Sequence, residues 1–287
     1  MSSVSENANR LIKKLRPFGR VVIAFSGGVD SSVVAAAAAV ARLDSAIAVT
    51  GNSASVPEWQ IDWAKRIANQ IGIKHQIVDT HEGELAQYVR NDSKRCYYCK
   101  QTLYRTLACL AARYDGAVIV SGTNAEDLGD YRPGIEAGIL ASVKTPLADL
   151  GFGKQDVRDL AHYFKLDNAE LPASPCLASR IAYGVKVTPE RLDRIERAEA
   201  WLRSHGFRDL RVRLHADELA RVELLTDEQF RLLENGLAEQ MNQVFRSLGF
   251  QFVTVDVEGL RSGSMNQTLV NIDLGCRSTP SSTGAVR

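Results

Sequence analysis

At 287 residues the chain has room for one large domain or two smaller ones, and a composition of 45% hydrophobic and 24% charged residues is that of an ordinary globular protein. A formal net charge of +1 gives no bulk electrostatic pull toward nucleic acid or a membrane surface. Five cysteines, an odd number, argue for reduced thiols over a disulfide scaffold. The polar stretch Met1–Arg10 lacks the apolar core of a secretion signal, and the longest apolar run, Val33–Ala41, is too short to span a bilayer. A cytoplasmic protein with no membrane or nucleic-acid partner is the expectation.

In chain order, a strand is expected at Arg20–Phe25 and a helix at Asp30–Arg42. Strand Ser45–Thr50, helix Glu58–Ile71, strand His75–Asp79, helix Tyr97–Arg113 and strand Ala117–Ser121 follow. This alternation predicts an α/β fold, a doubly wound parallel sheet with ligands at the carboxyl ends of its strands. A helix at Lys154–Phe164 precedes a long irregular stretch, Leu166–Tyr183, whose length marks it as linker or functional segment. Thr188-Pro189-Glu190 reads as cap, first-turn proline and first-turn acid of a helix to His205. Strands Leu210–His215 and Leu219–Leu224, a helix from Asp227 to Leu248 and a strand at Phe250–Val257 complete a second, smaller α+β domain. The expected division is 1–182, 183–276 and a Ser/Thr/Gly-rich disordered tail, 277–287.

Between the first strand and its helix lies Ser26-Gly27-Gly28-Val29-Asp30-Ser31-Ser32. Glycines let the backbone approach an anion, and the helix N-terminus supplies amides and a positive dipole end. No Walker-type lysine follows, so the kinase-like loop does not fit. The stretch resembles the PP-loop of ATP pyrophosphatases, which implies ATP cut between its α- and β-phosphates. Loops rich in small polar residues also follow the second and fourth strands, Thr50-Gly51-Asn52-Ser53 and Ser121-Gly122-Thr123-Asn124. The expected nucleotide contacts are Ala24, Ser26, Gly27, Gly28, Asp30, Ser31 and Ser32 from the first loop, Thr50 from the second, and Gly122 and Thr123 from the last. In the loop beyond, Asp127 and Asp130 are candidate Mg²⁺ ligands and Arg132 a candidate for the departing pyrophosphate, against the reading of a solvated acidic loop.

Cys96-Tyr97-Tyr98-Cys99 follows Lys94-Arg95, cations that favour thiolate. Cys176 sits in Ala173-Ser174-Pro175-Cys176-Leu177. Three thiolates suit a [4Fe–4S] cluster with one open iron; a redox pair and inert cysteines are the rival readings. Cys109, among leucines, reads as core, Cys276 receives no role, and the five histidines share no ligand spacing. In the second domain Arg211, Arg213 and His215 alternate with Leu210, Val212 and Leu214, as do Arg221 and Glu223 on the next strand. This is either an anion site or the solvated side of a half-exposed sheet.

The PP-loop, Arg95-Cys96-Tyr97-Tyr98-Cys99-Lys100, Ser121-Gly122-Thr123-Asn124, the Asp127–Gly134 loop, Ser174-Pro175-Cys176-Leu177 with Ser179-Arg180, and Arg211-Val212-Arg213 together resemble the LarE family. These are ATP-dependent sulfur transferases of nickel-pincer nucleotide synthesis. The resemblance implies that the carboxylates of pyridinium-3,5-biscarboxylic acid mononucleotide are adenylated and converted to thiocarboxylates. It places Arg180, Arg211 and Arg213 at the substrate and Cys96, Cys99 and Cys176 at the sulfur chemistry. One branch of the family sacrifices the cysteine matching Cys176. The other, which this chain resembles, holds a cluster through three cysteines. Implied partners are a sulfide source, a nickel-inserting enzyme and further copies of the chain, up to a hexamer. Amidating PP-loop synthetases, tRNA thiolases and an ATP-sensing scaffold are the rivals; the chain carries neither a glutaminase domain nor a basic RNA face.

Overall fold

The computed structural model describes residues 3–41, 43, 45–129, 133–172, 174–234, 236–261 and 265, and four parallel strands form its larger sheet. They are β1 (Arg20–Ala24), β2 (Ser45–Asn52), β3 (Lys74–Asp79) and β4 (Val118–Ser121), in the order β3-β2-β1-β4. β1 lies between β2 and β4, with Ile23 opposite Ala48 on one side and Val120 on the other. The helices of this region are α1 (Ser3–Leu15), α2 (Val29–Ala41), α3 (Glu58–Ile71), the single turn α4 (Ala86–Val89), α5 (Arg95–Arg113), α6 (Pro133–Leu140), the single turn α7 (Pro146–Asp149) and α8 (Lys154–Tyr163).

Successive strand residues face opposite sides of a sheet, so a strand covered on both faces must be apolar throughout. β1 shows this: Val21 and Ile23 join the core under α1, α2, α3 and α8, while Val22 joins the core under α5 and α6. The doubly wound α/β architecture is thereby established. α2 is apolar on nearly all sides, and Ser31 through Ala38 are buried without a break. The N-terminal stretch is polar overall and lacks a signal core, yet it folds. It is α1, whose Ala8, Leu11, Ile12 and Leu15 form a buried stripe at helical spacing. Leu11, Ile12 and Leu15 each contribute roughly 1.5–3 kcal/mol on burial, which outweighs the polar character of the rest of the segment.

The chain divides into two compact units, Met1–Glu196 and Arg197–Arg287, the division falling inside α9 (Pro189–Ser204). The second unit contains β5 (Leu210–Leu214), β6 (Leu219–Leu224), α10 (Leu237–Ser247) and β7 (Phe252–Val255). β5 and β6 are antiparallel, and β7 pairs parallel to β6 after the α10 crossover. The single helix expected from Asp227 to Leu248 is instead a 3-10 turn, Gln229–Leu233, and then α10. Gly236 precedes α10 at φ +70°, a left-handed conformation that breaks helical continuity. Asp130, Arg132, Cys276, the expected helix end at Arg42 and the tail 277–287 lie outside the described residues. No helix among the described residues is long and apolar enough to cross a membrane.

Candidate functional site

β1 ends at Ala24, and the chain turns through Ser26, Gly27 and Gly28 into α2. Gly27 has φ +72°, and a Cβ built there would stand 2.8 Å from the Ala64 Cα in α3. Only glycine allows the loop to lie this close to the neighbouring helix. The Ser26 hydroxyl accepts from the Gly28 amide at 3.2 Å and lies 3.3 Å from the Ser31 hydroxyl, which donates to the Gly28 carbonyl at 3.1 Å. The loop is thus tied back on itself while the α2 N-terminus faces its concavity, where an anion is stabilised by the helix dipole and amides. Ser32 is fully buried and donates to Gly28 O at 2.8 Å. Its place is behind the loop, where it holds the backbone.

β1 is also the switch point of the sheet, since β2 and β3 lie on one side of it and β4 on the other. Ligands bind at the carboxyl ends of strands where the order reverses. A Cβ on Gly122, just past β4, would stand 2.6 Å from the Ser31 amide nitrogen, so the two loops are in contact. Asn124 closes the junction: its amide donates to Asp30 Oδ1 at 2.8 Å, its backbone N–H to Asp127 at 3.2 Å, and its side-chain oxygen accepts from the Asp127 N–H at 3.1 Å. Asp30 and Asp127 are therefore joined through one buried asparagine. The Thr123 hydroxyl lies 3.0 Å from that of Ser121. Thr50 is buried, its hydroxyl 2.8 Å from His75 Nε2. Burial, with Lys65 adding to it, holds His75 below its ordinary value. Beyond Thr50 a cleft of about 660 Å³ opens at the ends of β2 and β3, lined by Asn52, Ser53, Asp79, Thr80 and Lys65.

The helix carrying the C-x-x-C begins at Arg95, earlier than expected, so Cys96 and Cys99 lie within its first turns, three apart and on one side. Cys176 immediately precedes the 3-10 turn Leu177–Arg180. The Leu177 amide donates to Ser55 O at 2.8 Å, which fixes this turn to the loop after β2. Cys96 is exposed, Cys99 and Cys176 partly so; Cys109, expected in the core, is exposed as well, because Leu107 and Leu110 take the buried side of the helix. Burial pushes the Cys99 thiol up to about 12, with Cys176 and Glu82 adding to the rise and Lys100 opposing it. Tyr88 and Glu82, both buried, are among the groups that act electrostatically on these thiols. Ser53 donates to Glu82 at 2.6 Å, and the Ser55 hydroxyl pairs with the Tyr88 hydroxyl. Among the described residues no three His, Cys, Asp or Glu side chains converge on a single metal-ion position.

Arg180, implied to touch substrate, is fully buried and braces the cysteine turn, donating to the carbonyls of Pro175 and Cys176, the latter at 2.9 Å. In the second unit the register sets Arg211 opposite Glu223 and Arg213 opposite Arg221 on one face, as the alternation predicts. That face is not an open basic surface. Fully buried Glu223 accepts from Arg213 at 2.8 Å through one oxygen and from Arg221 at 3.0 Å through the other. Burial, then Arg221, keeps His215 below its ordinary value. Arg211 stays half-buried beside this network and donates to Leu210 O at 2.6 Å.

Several residues with structural authority over the site carry no sequence signal. Asn168 is fully buried and donates to Gly27 O and Ser32 Oγ, both at 2.8 Å. Asn91, also fully buried, ties the start of α5 to the segment after Cys176. Both are single polar residues in irregular stretches, where no periodicity marks them. The long aperiodic segment Leu166–Tyr183 was the available hint.

The asparagine synthase family model matches residues 11–111, which span the phosphate loop and the C-x-x-C. An uncharacterized protein of Synechocystis is 38% identical over 94% of this chain and 99% of its own length. A protein of Lactiplantibacillus plantarum named pyridinium-3,5-bisthiocarboxylic acid mononucleotide synthase is 34% identical over 96% of this chain and 99% of its own. A tRNA-specific 2-thiouridylase of Anaplasma marginale is 29% identical, over 54% of this chain and 49% of that protein. The match to the synthase runs nearly end to end, through the phosphate loop, the cysteine segments and the second unit. The chain accordingly belongs to the LarE family, ATP-using sulfur transferases built on a PP-loop nucleotide domain.

Proposed function

We propose that this enzyme adenylates the carboxylates of pyridinium-3,5-biscarboxylic acid mononucleotide and replaces the adenylate with sulfur, giving thiocarboxylates. The observation that carries the reading is the Leu177–Ser55 hydrogen bond of 2.8 Å, which sets the Cys176 turn against a loop at the nucleotide end of the sheet. Activation and sulfur delivery must meet at one carbon, and this contact brings their machinery together. The substrate carboxylate attacks the α-phosphorus of ATP and pyrophosphate leaves. The Ser26–Ser31 loop and the α2 N-terminus bind the phosphates, with amides placed where negative charge gathers. Asp127 is the described carboxylate that would hold Mg²⁺, which would neutralise the departing pyrophosphate. The cleft beside Asn52 and Ser53 receives the nucleoside end. In the second unit, Arg211 and Arg213 are the residues that the family resemblance assigns to the substrate phosphate, Arg211 half-buried and Arg213 bonded to Glu223 at 2.8 Å.

In this reading Cys96, Cys99 and Cys176 would be the three thiolate ligands of a [4Fe–4S] cluster: Cys96 and Cys99 stand one helical turn apart, and Arg95 reaches both Cys96 and the Ala178 carbonyl in the turn that Cys176 opens. Such a cluster would keep one iron open for hydrosulfide. The protein's own part is to hold the thiols and keep them beside the adenylated carboxylate.

The test is iron and acid-labile sulfide in protein purified and reconstituted without oxygen, together with AMP and pyrophosphate release. About four of each per chain, lost on serine substitution at any of the three cysteines, supports the cluster. No iron, with Cys176 converted to dehydroalanine after turnover, moves the assignment to sacrificial transfer. Full turnover by the Cys176→Ser variant overturns both.

A further inference from the structure

The C-x-x-C and Cys176 lie far apart in sequence, yet one buried pair spans the gap. Asn91 is fully buried at φ +59°, and its amide donates to Ala182 O and Val185 O, each at 2.8 Å, and to Ile181 O at 3.3 Å. Its side-chain oxygen accepts from Arg95 Nη1 at 2.6 Å. The same guanidinium nitrogen donates to Ala178 O at 2.8 Å, inside the turn that Cys176 opens, and Nη2 lies 3.9 Å from Cys96 Sγ. The backbone repeats the tie, since the Gly184 amide donates to Asn91 O at 3.0 Å and the Val187 amide to Val89 O at 2.9 Å.

Arg95 is 5% exposed, and among the described residues no carboxylate pairs with it. A buried charge left without a counter-ion is strongly destabilising. The ionisable groups that face this guanidinium are Cys176, Cys96 and Tyr183, whose ring centroid lies 5.7 Å away. A permanent cation in that setting is matched when the site holds negative charge.

We propose that Asn91 and Arg95 are the positioning residues of the sulfur site: Asn91 locks the Cys96 helix to the segment behind Cys176, and Arg95 supplies the fixed positive charge that an anionic sulfur occupant needs. The pair preforms the thiol trio before sulfur or iron arrives. This rests on the reading of Cys96, Cys99 and Cys176 as the sulfur-handling residues. Lysine at position 95 keeps the charge but not the fork that serves Asn91, Ala178 and Cys96 together.

The experiment uses the full chain as wild type, Arg95→Gln and Arg95→Lys. Iron-free, reduced protein is treated with dibromobimane, which bridges two neighbouring thiols, and the bridged peptides are quantified by mass spectrometry. The Cys96–Cys99 bridge lies within one helix and serves as internal reference. Relative to it, bridges to Cys176 fall roughly tenfold in Arg95→Gln and less in Arg95→Lys, on the scale typical of residues that orient ligands. After anaerobic reconstitution, a chelator strips iron from Arg95→Gln roughly ten- to a hundred-fold faster than from wild type, with Arg95→Lys between. Unchanged bridging ratios, or no Cys176 bridge in wild type, overturn the proposal. If wild type takes up no iron, the cluster reading falls while the bridging ratio still decides the positioning role. If Arg95→Gln does not fold, Arg95→Lys decides it, and a ratio equal to wild type counts against.

Discussion

The Asn168 side-chain amide donates to the Gly27 carbonyl at 2.8 Å across 141 residues of sequence, and the same nitrogen reaches Ser32 Oγ at 2.8 Å. One buried side chain thereby holds both the phosphate loop and the first turn of α2. Arg66 and Gln70 of α3 keep the neighbouring Asp167 in place through bonds of 2.8 and 2.9 Å. Replacing Asn168 with alanine removes the donor from the Gly27 carbonyl and from Ser32 Oγ, which keeps only its own bond to Gly28 O, at about 1–3 kcal/mol. The variant is expected to melt earlier and to need more ATP for half-maximal AMP formation. A melting temperature and ATP dependence equal to wild type would show that the loop holds its shape alone.

Gly27→Ala and Gly122→Ala are expected to lose nucleotide-dependent stabilisation. In each case the new methyl meets backbone, at 2.8 Å from Ala64 Cα and 2.6 Å from Ser31 N, and backbone yields only by moving the loop. Gly83→Ala is the control, since nothing stands within 4 Å of its Cβ position. The measurement is the thermal shift produced by ATP. It should vanish in the first two variants and persist in the control.

His75 is held neutral beside Thr50, its pKa lowered from 6.5 by burial and then by Lys65. The sign follows from proton counting. Above 6.5 neither state of the chain binds the proton, so the stabilisation is complete. As pH falls below 6.5 toward the depressed native value, the unfolded chain binds a proton that the folded one refuses, and stability declines. Urea unfolding on either side of the ordinary histidine value should show this decline in wild type and less of it in His75→Gln. Equal slopes in both proteins would assign the acid sensitivity to other groups.

Glu223 is fully buried between Arg213 and Arg221. Glu223→Ala removes the buried anion that Arg213 and Arg221 share, leaving Arg221 its longer contact of 3.6 Å to Asp256, at a cost of about 3–5 kcal/mol. Arg211→Ala, by contrast, removes a side chain that is only half-buried and is expected to raise the KM for the substrate with a smaller loss of melting temperature than Glu223→Ala. Chemical unfolding of both variants beside substrate kinetics separates the two roles. The assignment fails if Arg211→Ala unfolds as readily as Glu223→Ala.

The parallel α/β layout, the phosphate loop and the family are legible in the residues alone. Those features are written locally: apolar strands, helical spacing, and glycines at a strand–helix turn, each acting within a few residues. α1 is hard to see in the sequence because its four buried residues lie within an otherwise polar stretch. The break before α10 is hidden because one glycine's left-handed conformation interrupts an otherwise continuous pattern. Tertiary structure alone decided which residues stand behind the site. Asn168, Asn91 and Arg95 act through carbonyls distant in sequence, and a hydrogen bond to a backbone carbonyl leaves no trace in the residue that accepts it. It also decided that Arg180 and Arg213 spend their charge inside the protein. A guanidinium reads the same in sequence whether it faces a ligand or a buried carboxylate, and only the folded chain shows which partner lies within reach.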